Sequence, residues 1–477
     1  MNITDPIRLQ AIERPHAAAI ARSSGTVSYR DLDRTIDVVA RRARDLGAVA
    51  GQSAAIAIGH PYWHLVLSLG LARIGVTVVP MSLPATAVDI CFTTGARPKA
   101  RYARFEPVDP AWFATPPPTA DVSPVPSHQD DSAICIVFAS SGTTGFAKHV
   151  AVSHALMARR IAAKAHLAPV SADVRQICPL GVGSGYGFRD LLRVLWAGGV
   201  VVLARKAGDV VAALSQHAVN CLVVSPSMLD DIVAALPPGA GPFPLLTEIE
   251  VGGSLIPGRL YESARQRLCP GIRSSYGATE TGSVAAAPMA ALLGREGAVG
   301  FLVPGVDVRA VDADDRPLPP GTEGILRIRS ALCVDHYLGD PAATAIAFRD
   351  GWFYPGDIGS VTSDRLLRIA GRSVDLINRG GAKVSPQAIE DVLLSLAQLR
   401  DAAAFGVPDE AGLMKIWAAI VPNGVVDVPV LDAVFRQRLP GTAPQFILQM
   451  EKLPRNEGGK VMRDELVRMA TASRRGR

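Results

Sequence analysis

The chain of 477 residues is too long for one hydrophobic core of ordinary size, so we expect two or more domains. Hydrophobic residues make up 48% of the chain and charged residues 19%, a composition typical of globular and not of disordered proteins. The net charge of +5, from 49 basic and 44 acidic side chains, is small for this length and indicates no nucleic-acid partner.

The sequence also indicates neither a membrane span nor a disulfide framework. The most apolar stretch, residues 191–203, contains Arg193 and is too short to cross a bilayer, and the N-terminus lacks the apolar core of a signal peptide. The six cysteines lie far apart without a C-x-x-C pair, which predicts reduced core residues. We therefore expect a cytoplasmic protein without a membrane partner, and nothing in the sequence indicates its oligomeric state.

Helical and strand patterns alternate along the first half of the chain. Helical spacing predicts helices over residues 28–46 and 64–74. Short apolar runs predict strands over residues 54–58, 76–80, 134–138, 200–203 and 221–224. A Pro-rich segment, residues 116–126, is expected to be a surface connector. Such alternation predicts an α/β fold with parallel sheets covered by helices.

The pattern changes after about residue 299. Short strands between Gly, Pro and Asp turns predict a β-rich subdomain there, for example residues 324–329 and 366–369. A compact α+β unit follows, with expected helices over residues 386–396 and 430–438 and expected strands over residues 402–407, 416–421 and 446–448. We place the domain boundary at residue 372, which divides the chain into residues 1–371 and 372–477.

Residues 138–148, with the sequence FASSGTTGFAK, form the most informative local motif. Small residues and two glycines allow backbone N–H groups to point into one concavity, hydroxyl groups add donors, and a lysine closes the loop, which suits the β- and γ-phosphates of ATP. The spacing is not that of a Walker loop. A Ser/Gly-rich surface turn is the alternative, and the order of the residues disfavours it. The predicted phosphate-binding residues are Ser140, Ser141, Gly142, Thr143, Thr144, Gly145 and Lys148.

This loop resembles the signature of the superfamily of AMP-forming acyl- and aryl-CoA ligases, peptide-synthetase adenylation domains and luciferases. Further motifs follow in the order of that family to about residue 463. The resemblance implies a large N-terminal domain of two α/β subdomains plus a β-rich subdomain, followed by a small mobile α+β domain. It also implies ATP, Mg²⁺ and, as co-substrate, coenzyme A.

Three motifs resemble the nucleotide site of the family. They are residues 251–254 (VGGS), 274–281 (SSYGATET) and 352–359 (WFYPGDIG), the last with a proline where the family commonly has Thr or Ser. The resemblance implies that Tyr276 stacks on adenine, Thr279 bonds the α-phosphate and Glu280 holds Mg²⁺. It implies that Asp357 binds the ribose hydroxyls and Arg372 the ribose or a phosphate. The predicted adenine- and ribose-binding residues are Gly252, Gly253, Ser254, Tyr276, Asp357 and Arg372.

The C-terminal unit resembles the mobile domain of the family. Residues 371–390 are similar to its hinge and thiol-tunnel motif, in which the hinge position falls on Val374, where Asp or Lys is usual. Gly380 and Gly381 would let a pantetheine arm pass close to the backbone. Residues 453–461 resemble the terminal lysine motif, so Lys460 is expected to contact the substrate carboxylate and the α-phosphate. The implied catalytic residues are Lys460, Thr279 and Glu280.

Residues 178–188 (CPLGVGSGYGF) fall where the family has P-L-x-H, with Val182 in place of the histidine. The expected acyl pocket comprises Val182, Gly183, Tyr186, Gly277 and Ala278. The Gly-rich run with its tyrosine is faintly similar to benzoate-type ligases, which favours an aromatic or medium-sized apolar acid. Amino acids rank lower as substrates, because an acidic residue would be needed to bind their α-ammonium group. The acid nearest to this segment, Asp190, stands beside Arg189.

Three functions remain open at this point. The leading one is an acid:CoA ligase that forms an acyl-AMP with release of pyrophosphate and then transfers the acyl group to coenzyme A. The second is a stand-alone adenylation enzyme that loads the phosphopantetheine of a carrier protein in trans. The third is a non-catalytic nucleotide-binding regulatory protein, which the presence of Thr279, Glu280, Asp357 and Lys460 disfavours.

Overall fold

The structure, a computed structural model, describes residues 1–80, 87–95, 98, 101–117, 122–140, 148–372, 377–379, 382–396, 398–409, 414–424, 426, 428–439, 442–456 and 459–475. In this part of the chain the α-helices are α1 Asp5–Glu13, α2 Tyr29–Asp45, α3 Pro61–Arg73, α4 His154–Leu167, α5 Gly185–Trp196, α6 Ala207–Gln216, α7 Pro226–Ala235, α8 Gly258–Arg267, α9 Pro341–Ala347, α10 Pro386–Leu394, α11 Val428–Arg438 and α12 Arg463–Arg475.

The β-strands of the first half are β1 Ala18–Arg22, β2 Gly25–Ser28, β3 Ser53–Ala57, β4 Thr77–Pro80, β5 Val88–Thr93, β6 Tyr102–Pro107, β7 Ile134–Ser140, β8 Lys148–Ser153, β9 Arg175–Ile177, β10 Val200–Val202, β11 Cys221–Val224 and β12 Glu248–Gly252. Those of the second half are β13 Ile272–Ala278, β14 Gly282–Pro288, β15 Ala298–Leu302, β16 Asp307–Val311, β17 Gly324–Arg329, β18 Phe348–Arg349, β19 Trp352–Phe353, β20 Asp357–Val361, β21 Leu366–Arg372, β22 Ile377–Arg379, β23 Ala382–Val384, β24 Leu399–Pro408, β25 Met414–Pro422 and β26 Phe446–Gln449.

Helix α2 shows how local sequence determines these elements. The Ser28 hydroxyl caps its N-terminus by accepting a hydrogen bond from the backbone N–H three residues further on. Leu32, Ile36, Val39 and Ala43 recur at steps of four, three and four residues and are all buried. The helix predicted over residues 28–46 is therefore confirmed.

The other predicted helices and strands are also present, with ends that differ by a few residues. The helix predicted over residues 64–74 is α3, which begins three residues earlier. Pro61 occupies its first turn and the His60 ring accepts a hydrogen bond from the Trp63 N–H at 3.4 Å, so the start is set by a cap and not by the apolar run.

Two large sheets form the framework before residue 372. The smaller has the order β6-β5-β3-β4-β7-β8 and is parallel except for β8. The larger contains the parallel strands β10-β9-β11-β12-β13 and continues through antiparallel β14, β15, β21, β20 and β17. The strands predicted as a β-rich subdomain thus extend the sheet of the α/β part.

Helices α1 to α5 contribute to the largest hydrophobic cluster, which contains residues of both sheets. Phe138 at the end of β7 and Phe188 on α5 meet in it with ring centroids 6.2 Å apart. Helices α6, α7 and α8 cover the larger sheet elsewhere and belong to a second cluster with Ile249 and Val251 of β12. The strands that carry the motifs of the sequence are consequently held between layers of helices.

After Arg372 the strands form sheets of their own, the hairpin β22–β23 and the sheet β24-β25-β26. Their apolar residues divide into two clusters, one with Ile389 of α10 and one with Leu466 of α12. This part contacts α7 through polar groups. Arg400 Nε lies 3.1 Å from Asp230 Oδ2, and Lys452 Nζ lies 3.2 Å from Asp231 Oδ2.

Two expectations about the whole chain can be compared with the structure. All six cysteines are free, and all except Cys333 are buried, so the prediction of reduced core cysteines is confirmed for five of the six. Among the described residues, no helix combines the length and the apolar character that crossing a membrane requires.

A buried ionic network joins the first three helices. Arg73 of α3 has 0% exposure and lies 2.6 Å from Asp33 Oδ1 and 2.7 Å from Asp37 Oδ1, both on α2. Arg8 of α1 contacts the same Asp37 oxygen at 2.6 Å. The Arg73 Nε also donates to the Thr4 hydroxyl at 3.3 Å. Removal of one member would leave charge in a site from which water is excluded.

We expect the Arg73→Leu substitution to lower the free energy of unfolding by about 3–5 kcal/mol, because Asp33 and Asp37 lose their buried partner. Denaturant unfolding would measure the change. Arg265→Ala is the matched control, since its pair with Glu262 is about half exposed and should contribute less than about 1 kcal/mol. Equal losses in the two variants would contradict this assignment.

Candidate active site

The candidate site lies where the parallel strands β11, β12 and β13 end. Their register pairs Val224 with Val251 and Gly252 with Ser275, so the VGGS turn and the start of the Y-G-x-T-E motif meet at one edge. Gly253 has φ +101°, a conformation that side chains disfavour. A Cβ on Gly252 would lie 2.7 Å from the Tyr186 ring. Both glycines of the turn are therefore required by the fold around it.

Antiparallel pairing of β20 with β21 sets Asp357 opposite Arg372, as their register shows. The Arg372 Nε lies 3.1 Å from Asp357 Oδ1, and its Nη2 donates to the Pro355 carbonyl at 2.9 Å. The Tyr276 hydroxyl donates to Asp357 Oδ2. Burial, and then the Asp357 charge, raise the pKa of Tyr276 well above its ordinary value, so the phenol remains a donor. Three residues predicted for adenine and ribose thus lie in contact.

Glu280 is 4% exposed and joins the two large sheets. Its Oε1 accepts hydrogen bonds from Ser140 Oγ of β7 at 2.5 Å and from the Tyr337 hydroxyl at 2.9 Å. Burial, and then the Glu280 charge, raise the pKa of Tyr337, which keeps that hydroxyl protonated. Sequence reasoning missed Tyr337, because no local motif connects it to Glu280, 57 residues earlier in the chain.

Arg160 of α4 supports the backbone on which Glu280 stands. It is 6% exposed and donates to the carbonyls of Thr279 at 3.0 Å, Glu280 at 2.8 Å and Leu332 at 2.9 Å. Burial lowers its pKa to about 10, so it stays cationic at neutral pH. This residue was also missed, since an arginine among many on a helix carries no distinguishing pattern.

The two ends of the predicted phosphate loop converge on Glu280 and its partner. Ser140 is paired with Lys148 in the β7–β8 register, and the Lys148 Nζ lies 4.9 Å from the centre of the Tyr337 ring. The intervening predicted residues, Ser141, Gly142, Thr143, Thr144 and Gly145, lie outside the described residues. The two described ends, Ser140 and Lys148, thus lie against Glu280 and its partner Tyr337 respectively.

The segment predicted for the acyl pocket forms the entry to α5. Val182 is buried, Gly183 and Tyr186 are half-buried, and the Ser184 hydroxyl caps the helix. A Cβ on Gly185 would lie 3.4 Å from the Thr279 methyl group, so the first turn of α5 adjoins the Y-G-x-T-E motif.

The other two predicted pocket residues lie on β13, where Gly277 is exposed and Ala278 is half-buried. A Cβ on Gly277 would lie 2.1 Å from the Gly282 carbonyl, so close strand packing already requires this glycine.

Asp190, the acid near this segment, is wholly buried. Its carboxylate oxygens lie 2.8 Å from Arg189 Nη2 and 3.1 Å from Arg193 Nε. Burial alone would favour the neutral acid, but the two guanidinium groups lower the pKa of Asp190 to about 2. Asp190 has no exposed surface with which to bind a substrate ammonium group.

Lys460 is exposed on a turn that other residues hold in shape. Its backbone N–H donates to Asn456 Oδ1 at 3.0 Å, and its carbonyl accepts from the Asn456 N–H at 2.9 Å. Arg455 donates to the Gly459 carbonyl at 2.6 Å and to both oxygens of Asp401 at 2.9 and 2.8 Å. The sequence did not predict the ion pair of Arg455 and Asp401. The structure shows it through the hydrogen bonds from Arg455 to both carboxylate oxygens of Asp401.

The same turn touches the end of β11. Gly459 has φ +78°, and a Cβ there would lie 2.5 Å from Ser225 Oγ and 2.7 Å from Ser227 Oγ. Ser225 follows β11 and caps α7. The lysine turn therefore reaches the sheet edge that carries Gly252 and Tyr276. The predicted hinge Val374 and the predicted tunnel residues Gly380 and Gly381 lie outside the described residues.

The donor set fits Mg²⁺ together with a nucleotide. Among the described residues, no three His, Cys, Asp or Glu side chains gather into a metal cluster. Glu280 supplies one carboxylate group whose described hydrogen bonds reach only Oε1. Mg²⁺ is commonly bound in this way, by one or two carboxylates and substrate phosphates with water completing its shell.

Two curated relatives cover nearly the whole chain, and a third covers about three quarters of it. It is 26% identical to feruloyl-CoA synthase of an Amycolatopsis species, over 97% of this chain and 98% of that protein. It is 28% identical to the fatty acid–[acyl-carrier-protein] ligase ScoC of Streptomyces coeruleorubidus, over 96% and 94%. It is 29% identical to the medium-chain fatty-acid–CoA ligase of Escherichia coli, over 74% and 64%.

Solved structures show the same fold. O-succinylbenzoate coenzyme A synthetase (MenE) of Bacillus subtilis, in complex with ATP and magnesium, superposes with a TM-score of 0.84 at 21% identity, over 97% of this chain and 98% of that one. ATP-bound MatB of Rhodopseudomonas palustris superposes with a TM-score of 0.84 at 22% identity, over 98% of this chain and 99% of that one. The model of the family described as AMP-binding enzyme matches residues 94–338, just over half of the chain. The chain therefore belongs to the AMP-binding enzyme family.

Proposed function

We propose that this protein is an AMP-forming acid:CoA ligase, which activates a carboxylic acid with ATP and then transfers the acyl group to coenzyme A. The observation that carries the proposal is the convergence of three elements at one sheet edge: the Tyr276–Asp357–Arg372 contact, the enclosed carboxylate of Glu280, and the turn that bears Lys460. Membership of the family and the names of its CoA-ligase relatives support the same reaction.

The nucleotide is assigned to the edge of β12 and β13. Adenine would lie between the VGGS turn and the Tyr276 ring, and Asp357 would accept hydrogen bonds from the ribose hydroxyls. Tyr276 and Arg372 already hold the two Asp357 oxygens in place, which pre-orients the carboxylate for this task. The loop between Ser140 and Lys148 would receive the β- and γ-phosphates.

In the first step an oxygen of the substrate carboxylate attacks the α-phosphorus, and the bond from that phosphorus to the pyrophosphate oxygen breaks. Glu280 would hold Mg²⁺, which would supply positive charge to the phosphates. The Lys460 ammonium and the Thr279 hydroxyl face charge that grows on the α-phosphate. The protein acts by position and electrostatics, and no side-chain nucleophile takes part.

In the second step the thiol of coenzyme A attacks the acyl carbonyl and a C–S bond forms. The bond from the acyl carbon to the phosphate oxygen breaks, AMP leaves, and the thiol proton passes to water. Residues 372–477 are assigned as a mobile domain that turns about Val374, withdraws Lys460 and brings Gly380 and Gly381 to the thiol route. Partly exposed ion pairs between this domain and α7 support the assignment, because such contacts separate at low cost.

A carrier protein is the second candidate acceptor, and the similarity to ScoC over nearly the whole chain favours it specifically. Either acceptor would come from outside the chain. Six free cysteines support a reducing compartment, which we take to be the cytoplasm. A role without catalysis is disfavoured, because hydrogen bonds fix both Glu280 and Asp357, the residues proposed to hold Mg²⁺ and the ribose.

The direct test is pyrophosphate release from ATP and Mg²⁺ with a panel of aryl, fatty and amino acids, each with and without coenzyme A. We expect release with one class of acid and acyl-CoA when coenzyme A is present. Formation of acyl-AMP without acyl-CoA, together with loading of a carrier protein, would show that the carrier protein and not coenzyme A is the acceptor. ATP binding without turnover of any acid would contradict the proposed activity.

We expect Lys460→Ala to slow acyl-AMP formation by about 10²–10³-fold, because the cation that meets the developing charge is removed. Thioester formation from acyl-AMP supplied in the assay should be nearly unchanged. Lys206→Ala, at an exposed lysine before α6, is the control and should match the wild type. Adenylation by Lys460→Ala at the wild-type rate would refute the role given to this lysine.

Arg455→Ala tests whether the lysine turn must be held by Asp401. Loss of the clamp should reduce adenylation by up to about 100-fold through misplacement of Lys460, with little effect on the thioester step. Arg455→Lys should restore part of the rate, and Arg468→Ala on the exposed face of α12 serves as control. A parallel loss in both half-reactions would indicate a general structural role instead.

A further inference from the structure

Glu280, the carboxylate assigned to Mg²⁺, uses its two oxygens differently. Oε1 accepts one hydrogen bond from Ser140 Oγ at 2.5 Å and another from the Tyr337 hydroxyl at 2.9 Å. Each oxygen of a carboxylate offers about two acceptor sites, so these two donors fill Oε1. Among the residues that the structure describes, none donates to Oε2. The side chain is therefore arranged to offer a cation one oxygen and not two.

Tyr337 is itself held from several sides, so the fold fixes the position of its hydroxyl. It is 4% exposed, and its ring packs against Phe348 in an edge-to-face arrangement with ring centroids 5.2 Å apart. Its backbone N–H donates to the Thr344 hydroxyl of α9 at 3.0 Å. The N–H of the next residue, Leu338, donates to the His149 carbonyl at 2.8 Å. Tyr337 is thus anchored both to α9 and to β8.

Divalent cations differ in what they require of a carboxylate. Mg²⁺ demands a nearly ideal octahedron and is usually held by one or two carboxylates, substrate phosphates and water. The two oxygens of one carboxylate lie too close together to occupy two corners of such an octahedron. Ca²⁺ is larger, accepts a flexible geometry and readily takes both oxygens of one carboxylate. A carboxylate with one oxygen already occupied therefore suits Mg²⁺ better than Ca²⁺.

We propose that Tyr337 is a positioning residue that makes Glu280 a one-oxygen ligand and thereby selects Mg²⁺ over Ca²⁺ at the nucleotide site. This inference rests on the proposed function, which takes Glu280 as the carboxylate that holds the metal of the ATP complex. Ser140 contributes the second donor to the same oxygen. Loss of either donor would free an acceptor site on Oε1 and let the carboxylate rotate or bind a cation through both oxygens.

The test compares the wild type with Tyr337→Phe, which removes the hydroxyl but keeps the ring that contacts Phe348 and the Lys148 ammonium. Isothermal titration calorimetry would measure the binding of an ATP analogue with a methylene group between its α- and β-phosphorus atoms, at a series of Mg²⁺ or Ca²⁺ concentrations. The half-saturating Mg²⁺ concentration should rise about 10–100-fold, the usual effect of removing a group that orients a metal ligand. The half-saturating Ca²⁺ concentration should change much less, so the preference for Mg²⁺ falls.

Tyr29→Phe is the matched control, because the buried Tyr29 hydroxyl also makes hydrogen bonds, to the carbonyls of Leu195 at 3.0 Å and Gly199 at 2.7 Å. None of these described partners belongs to the candidate site. Loss of this hydroxyl should lower the stability of the protein and leave the preference for Mg²⁺ over Ca²⁺ unchanged. The same fall in preference in Tyr29→Phe as in Tyr337→Phe would overturn the inference.

Ser140→Ala is a second variant, which frees the same Glu280 oxygen and should lower the preference for Mg²⁺ in the same direction. If thermal unfolding shows that Tyr337→Phe does not fold, Ser140→Ala decides alone, and an unchanged preference in it would overturn the inference.

Equal losses of affinity for Mg²⁺ and Ca²⁺ in Tyr337→Phe would also overturn the inference, because they would indicate a general structural role. An unchanged half-saturating Mg²⁺ concentration would do the same. Failure of the wild type to release pyrophosphate with any acid would refute the proposed function, whereas the cation dependence of analogue binding would still decide the role of Tyr337.

Discussion

The site depends on one constraint, that neighbouring parallel strands end at the same edge of a sheet. Strands β11, β12 and β13 bring Ser225, Gly252 and Tyr276 to that edge, although these residues are far apart in the chain. Everything else in the candidate site is attached to it. Antiparallel β20 and β21 add the paired Asp357 and Arg372, and the C-terminal turn reaches the same edge at Ser225.

A second requirement is that charged groups in low-dielectric surroundings be held by partners, because an unpaired buried charge is strongly unfavourable. Glu280 is held at its carboxylate by Ser140 and Tyr337, and at its backbone by Arg160. Ser140 belongs to one large sheet and Glu280 follows a strand of the other. The carboxylate assigned to Mg²⁺ is thus also a connection between the two halves of the large domain.

Local patterns predicted the helices, the strands and the VGGS turn well, because helix spacing, caps and glycine turns act over a few residues. The spacing of buried residues in α2 and the glycines at 252 and 253 are examples. Tyr337, Arg160 and the pair Arg455–Asp401 could not be predicted, since each acts on a partner that only the tertiary fold brings close. The continuity of the β-rich strands with the parallel sheet was hidden for the same reason.

The contact between α7 and the C-terminal sheet is made of charged side chains that remain about one-quarter to two-thirds exposed, as in Arg400–Asp230 and Lys452–Asp231. Water can solvate each charged partner as soon as it separates, so these ion pairs break at low cost. The attraction within these ion pairs weakens as the ionic strength rises. If residues 372–477 move as proposed, a higher salt concentration would therefore ease the separation of the lysine turn from the sheet edge.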